Sequence, residues 1–153
     1  MINYLNVFDL RGKLIARLAI FEGMRPGEIL ALRWKSVQGV AIQVEQRVYR
    51  RVLNTPKNGK TREGAISDGT LELLTEWREL AQDPSPEGFV FPSENLKTPL
   101  SPDNVWRRTM KPKLEKIGPG WATFQVLGKT KKKLEAAVIQ KAATEAIGAS
   151  LVR

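Results

Sequence analysis

Apolar and polar residues alternate along this chain with two different periods, and the change between them divides the sequence. Residues 8–22, "FDLRGKLIARLAIFE", place Leu10, Leu14, Ile15, Leu18 and Phe21 at helical spacing. Gly12 weakens that pattern slightly, and Gly23 suits its C-terminal cap. Pro26 fits the first position of a second helix. That helix is predicted to run to Trp34 on Ile29, Leu30 and Leu32. From Val40 the period shortens to two. Val40, Ile42, Val44, Val48 and Val52 are β-branched and read as strands. "NTPKNGKTREGAIS" has the composition of a turn-bearing hairpin. A small antiparallel sheet of two or three strands is therefore expected across roughly residues 40–67.

Helical spacing returns at Asp68, a candidate cap, followed by Leu71, Leu74, Trp77 and Leu80. "QDPSPEG" reads as a loop, and "FVF" is long enough only for a bridge or strand stub. Ser101-Pro102-Asp103 supplies a hydroxyl cap, a proline at the first helical position and an acid in the first turn. The helix that follows carries Val105, Trp106, Met110 and Leu114 and ends before "GPG" at 118–120. Pro112 inside it should kink or split it. The last thirty residues favour helix, with Leu134, Ala137, Val138 and Ala142 on one face. No repeat or interdomain linker is evident, so a single α+β domain, mainly α, is expected.

Composition narrows the chemistry. A chain of 153 residues can bury a core without staples. With no cysteine and no histidine, disulfides, thiolate chemistry, histidine bases and the usual metal sites are all excluded. No clustered acids support a metal or cofactor, and none is expected. No apolar run is long enough to span a membrane, and no secretory signal pattern is present; the absence of cysteine fits a reducing cytoplasm. "GKT" occurs twice, but a phosphate-binding loop needs a glycine where Asn54 and Thr123 stand. The net charge of +9 makes a polyanion the leading partner class. The cations fall in clusters: Arg47, Arg50 and Arg51 by the sheet; Lys57, Lys60 and Arg62 on the hairpin; Arg107, Arg108, Lys111 and Lys113 on the later helix; and Lys129 and Lys131–Lys133 beyond it. Any one such run is ordinarily a solvated face. Several in so basic a domain favour phosphate contacts along a duplex.

One arginine stands apart. In "FEGMRPGEILALRW", Arg25 lies at a turn between two apolar helices. Taken singly, an arginine there pairs with a carboxylate such as Glu28 or caps carbonyls. The frame is more specific. "GMRPGEILALRW", then strands, then "TPKNGKTREGAIS", resembles the catalytic domain of the tyrosine recombinases, the phage-integrase family, over residues 8–127. The resemblance implies a mainly helical catalytic fold with a small antiparallel sheet, and site-specific DNA recombination or integration. It places Arg25 on the first catalytic arginine, at the scissile phosphate, and Glu28 on its supporting acid. Lys57 falls on the hairpin lysine, general acid toward the leaving 5′-oxygen. Metal-free phosphoryl transfer needs fixed cations around the phosphate, and a planar guanidinium fork supplies them. The Glu28 carboxylate, one helical turn on, can orient that fork.

The late motifs depart from the family. In "WATFQVLGKT", Gln125 falls on the histidine position of H-x-x-R and Gly128 on the second arginine. Losing one transition-state donor of this kind costs about 10²–10³ in rate. No tyrosine follows Tyr49, so the family's nucleophile has no counterpart. A degenerate or frameshifted gene, a shortened polypeptide and a binding-only relative each account for this. The expectation is a damaged or truncated catalytic domain, without the family's N-terminal core-binding domain, that binds double-stranded DNA and does not cleave it. Other recombinase protomers on DNA are expected partners, and a small-molecule substrate is not. The alternative is a non-catalytic DNA-binding accessory module, and a chance match by a basic RNA-binding protein is a third reading.

Overall fold

The computed structural model describes residues 3–49, 52–54 and 61–117. Lys57, Lys60, Arg50, Arg51, Gln125, Gly128 and the alanine- and lysine-rich tail lie outside the described residues. A 3₁₀ turn, Asn3–Val7, leads into helix α1, Leu10–Ile20. Asp9 caps α1 by accepting the Gly12 N–H at 2.8 Å, which satisfies one of the orphan donors of the first turn. Leu14, Ile15 and Leu18 are fully buried, as their spacing predicts. Gly23 then takes a left-handed conformation, φ +64°, where a side chain would be strained. The reversal lets the Met24 N–H reach the Leu18 carbonyl at 3.1 Å.

Helix α2 is shorter than the sequence predicts. It spans Pro26–Leu30, with Arg25 as its N-cap residue and Pro26 in the first position. Trp34–Ser36 forms a separate 3₁₀ turn. A tertiary pairing replaces the helix ladder there. The Leu32 carbonyl accepts from Val90 N–H, Trp34 N–H donates to the Gly88 carbonyl, and Lys35 N–H donates to the Pro86 carbonyl, each at 2.9 Å. The "FVF" stub is thus a bridge, Arg33 to Phe89, and Phe89–Phe91 is buried. Trp77 closes over it, its indole N–H donating to the Val90 carbonyl at 2.7 Å and its ring stacking 6.2 Å from Phe91.

The strand region differs from a single small sheet. β1 (Val37–Gln38), β2 (Ala41–Val44) and β5 (Arg62–Ala65) form a three-stranded antiparallel sheet with β2 in the centre. β3 (Arg47–Tyr49) and β4 (Val52–Asn54) form a separate two-stranded ribbon. So β4 and β5, which flank the expected hairpin, pair with different strands. The cause is packing. β3 leaves the sheet to lie against α2, and its Val48 carbonyl comes so near Gly27 that an added Cβ would sit 2.5 Å away. Only glycine fits there.

Helix α3, Asp68–Glu79, is capped one residue earlier than expected, at Ser67. Glu22, at the end of α1, accepts from the Ser67 N–H at 3.1 Å and hydroxyl at 2.7 Å. Arg17 donates to the buried Thr70 hydroxyl at 3.1 Å, so a polar seam joins α1 to α3. The last described helix is α4 (Pro102–Val105), a π turn (Trp106–Met110) and α5 (Lys111–Ile117). Pro112 does not split it. Proline lacks an N–H and its ring crowds the carbonyl four residues back, and the helix widens by one π turn just before it. Met110 and Leu114 stay in a core shared by α1, α2, β2, Val48, Leu74 and Phe91.

Candidate nucleic-acid interface

α2 is the hub of the basic surface. It packs against α1, β3 and α4. Its N-cap, Arg25, has extended backbone, φ −75° and ψ 150°, so its side chain leaves the helix at the very start. Arg25 is exposed. Among the described residues its guanidinium takes no hydrogen-bond or ion-pair partner. Its backbone, by contrast, is held: the Arg25 N–H donates to Glu28 Oε2 at 3.1 Å. That is the back half of a capping box, which fixes the first turn. Glu28 therefore neither pairs with the Arg25 guanidinium nor orients its fork directly. It locks the main chain from which the side chain springs.

The same Glu28 oxygen is the acceptor of Arg62, the first residue of β5. Glu28 is only 14% exposed and Arg62 is 53% exposed. Arg62 stands opposite Val44 in the β2–β5 register, so the two side chains leave the same face of the sheet. Val44 and Ile42 on that face are buried. The opposite face carries the Gln43–Glu63 hydrogen bond at 2.8 Å.

Arg47 opens β3, pressed onto α2 through Gly27. It is half-buried, and its Nε is buried without a hydrogen-bond partner among the described residues. Arg107 and Arg108 are exposed on the π turn beyond α4. Arg107 touches the Asn104 side-chain oxygen at 3.4 Å. Lys111 is exposed and faces Glu115 at 3.8 Å, which offsets part of its charge. The structure thus places Arg25 at the start of α2, Arg62 on Glu28 of the same turn, and Arg47 on the strand that packs against α2. Arg107, Arg108 and Lys111 belong to the neighbouring helix.

Other polar groups prove structural. Asp9 and Glu22 are helix caps. Arg33 donates to the Glu87 carbonyl at 2.6 Å and lies 4.2 Å over the Phe89 ring. Lys35 pairs with Glu87 at 3.0 Å. Gly27 is the residue that the sequence reading passed over. A glycine at the second position of a helix was its signal, and only the fold supplies the strand carbonyl that demands it. A groove of about 880 Å³ runs between the end of α3, the 89–101 segment and the π turn, with Arg11, Asp83 and Arg108 on its walls. It contains neither Arg25 nor Glu28, so it is separate from the α2 site. Among the described residues no group of acids could hold a metal ion, and no helix is long and apolar enough to cross a membrane.

An exposed arginine at the N-cap of a short helix, with its main chain clamped by an acid three residues on, gives an α+β domain a cationic helix junction. The chain belongs to the phage integrase family, whose model matches residues 1–118. Its fold is that of tyrosine recombinases. The Tn1549 transposon integrase bound to a circular intermediate DNA superposes with a TM-score of 0.69 at 14% identity, over 84% of this chain and 48% of that one. The same integrase bound to transposon right end DNA gives 0.65 at 16% identity, over 83% and 47%. XerA recombinase gives 0.63 at 18% identity, over 84% and 45%. The chain thus spans about half the length of the solved structures it resembles. Among curated protein sequences, none matches.

Proposed function

We propose that this polypeptide is a DNA-binding catalytic-domain segment of a site-specific tyrosine recombinase, acting in DNA recombination and integration in the cytoplasm. The observation that carries this is Arg25: exposed, unpaired among the described residues, and rigidly mounted by Glu28. A guanidinium held in that way is ready for a phosphate, because its fork need not first surrender an ion pair with any described residue. Family membership and the DNA-bound state of the Tn1549 integrase structures support duplex DNA as the polyanion. Arg47, Arg107 and Arg108 supply further cations on adjoining elements, and Arg50, Arg51, Lys60 and Lys111 extend the set in sequence. Other recombinase protomers on the same DNA are the protein partners that this role requires.

The same proposal gives Lys57 the role of general acid and Gln125 that of a hydrogen-bond donor in place of histidine. Gly128 leaves the second arginine's place without a side chain. As these 153 residues stand, no tyrosine follows Tyr49, so strand cleavage is not expected. A suicide DNA substrate tests this. Unchanged DNA and no covalent adduct are expected, and an adduct on this chain would overturn the claim of inactivity. An accessory, non-catalytic role rests on the same two gaps at Gly128 and after Tyr49. It would show as tight binding to a defined site and a changed activity of a partner recombinase.

A further inference from the structure

We infer that Arg62 is a positioning residue for Arg25, acting through Glu28, and not a DNA contact in its own right. This rests on the reading that Arg25 meets a DNA phosphate. By charge alone Arg62 counts with the hairpin cations. Its place in the sheet says otherwise. It shares a face with buried Val44 and, though its side chain is half-exposed, its guanidinium is taken by Glu28 in the first turn of α2. A single carboxylate oxygen then serves two elements. It accepts the Arg62 guanidinium from β5 and the Arg25 N–H from the N-cap of α2.

That shared oxygen is a mechanical link. An unpaired carboxylate in this half-closed position would turn toward water. Arg62 removes that option by neutralising it where it stands, and the capping bond to Arg25 is kept as a consequence. Arg62 also closes the connection from β4 in which Lys57 lies. The ion pair thereby ties the start of β5 to the helix turn bearing Arg25. In this scheme the two cations have different tasks: Arg25 is spent on the ligand, and Arg62 is spent on Glu28.

The test is a double-mutant cycle read in DNA affinity against salt. Duplex DNA binding of the full chain would be measured at several salt concentrations for the wild type, Arg25→Ala, Arg62→Ala and the double variant. Each lost phosphate contact lowers the slope of log affinity against log salt by about 0.9. Arg25→Ala should lose one such contact. Arg62→Ala should weaken binding by loosening Arg25, yet change nothing further once Arg25 is alanine, so the double variant also loses about one contact. Independent, additive losses would overturn the inference, as would a silent Arg62→Ala beside an active Arg25→Ala. If Arg25→Ala itself leaves the slope unchanged, the phosphate reading of Arg25 fails instead. Thermal unfolding of each variant separates coupling from loss of fold. Should Arg62→Ala not fold, Arg62→Gln takes its place in the cycle, with the same two outcomes deciding.

Discussion

Arg25 and Arg33 sit in the same short stretch, on either side of one five-residue helix, and the fold treats them in opposite ways. Arg33 is consumed. Its guanidinium donates to the Glu87 carbonyl, lies over Phe89 and pins the bridge that ends α2. Arg25 is spared. Its main chain is clamped, while the side chain is exposed and without a partner among the described residues. Identical chemistry thus serves structure at one end and stands open to a ligand at the other. The difference lies in which atoms the nearby acid takes. Glu87 faces Arg33 and Lys35 by side chain, whereas Glu28 holds Arg25 only by its N–H and gives its charge to Arg62.

The contrast can be broken first at its mount. Gly27→Val puts a side chain against the Val48 carbonyl and forces α2 and β3 apart, and overpacking of this kind should cost about 3 kcal/mol. The thermal midpoint should fall by about 6–12 °C, and DNA binding should weaken with it. A midpoint within a degree of wild type would mean that the approach is not tight. Arg33→Ala should come next. Losing a charged donor to a carbonyl should cost about 2 kcal/mol, seen in denaturant unfolding, with the salt slope of DNA binding unchanged. A lower slope would place Arg33 on the DNA and erase the comparison. Lys35→Ala should matter least, because an exposed ion pair contributes only about 0–1 kcal/mol. Its midpoint and slope should both match wild type.

Local signals carried much of this. Leu14, Ile15 and Leu18 announced α1, Pro26 the start of α2, and Ser101-Pro102-Asp103 the start of α4, whereas α1 ends at Ile20 with Phe21, not Gly23, as its C-cap. The position of Arg25 was legible from its frame, and the family and fold followed from the same residues. What was not legible depends on partners distant in sequence. Nothing in "ILALRW" says that Val90 and Gly88 will take its backbone bonds and stop the helix at Leu30. Strand propensity in 40–67 says nothing of register, so the separate β3–β4 ribbon was missed. Pro112 was read correctly as a disturbance, but the helix absorbed it by widening. Arg62 looked like one more surface cation, because its pairing with Glu28 joins residues brought together only by the β2–β5 register.

The central claim is that Arg25 is mounted for a phosphate and is not a structural arginine. Duplex DNA affinity measured from low to moderate salt, for wild type and Arg25→Ala side by side with their unfolding midpoints, tests it most directly. A slope lower by about 0.9 is expected in the variant, with a stability within about 0.5 kcal/mol of wild type. An unchanged slope, or a loss of binding that merely follows a loss of fold, would contradict it.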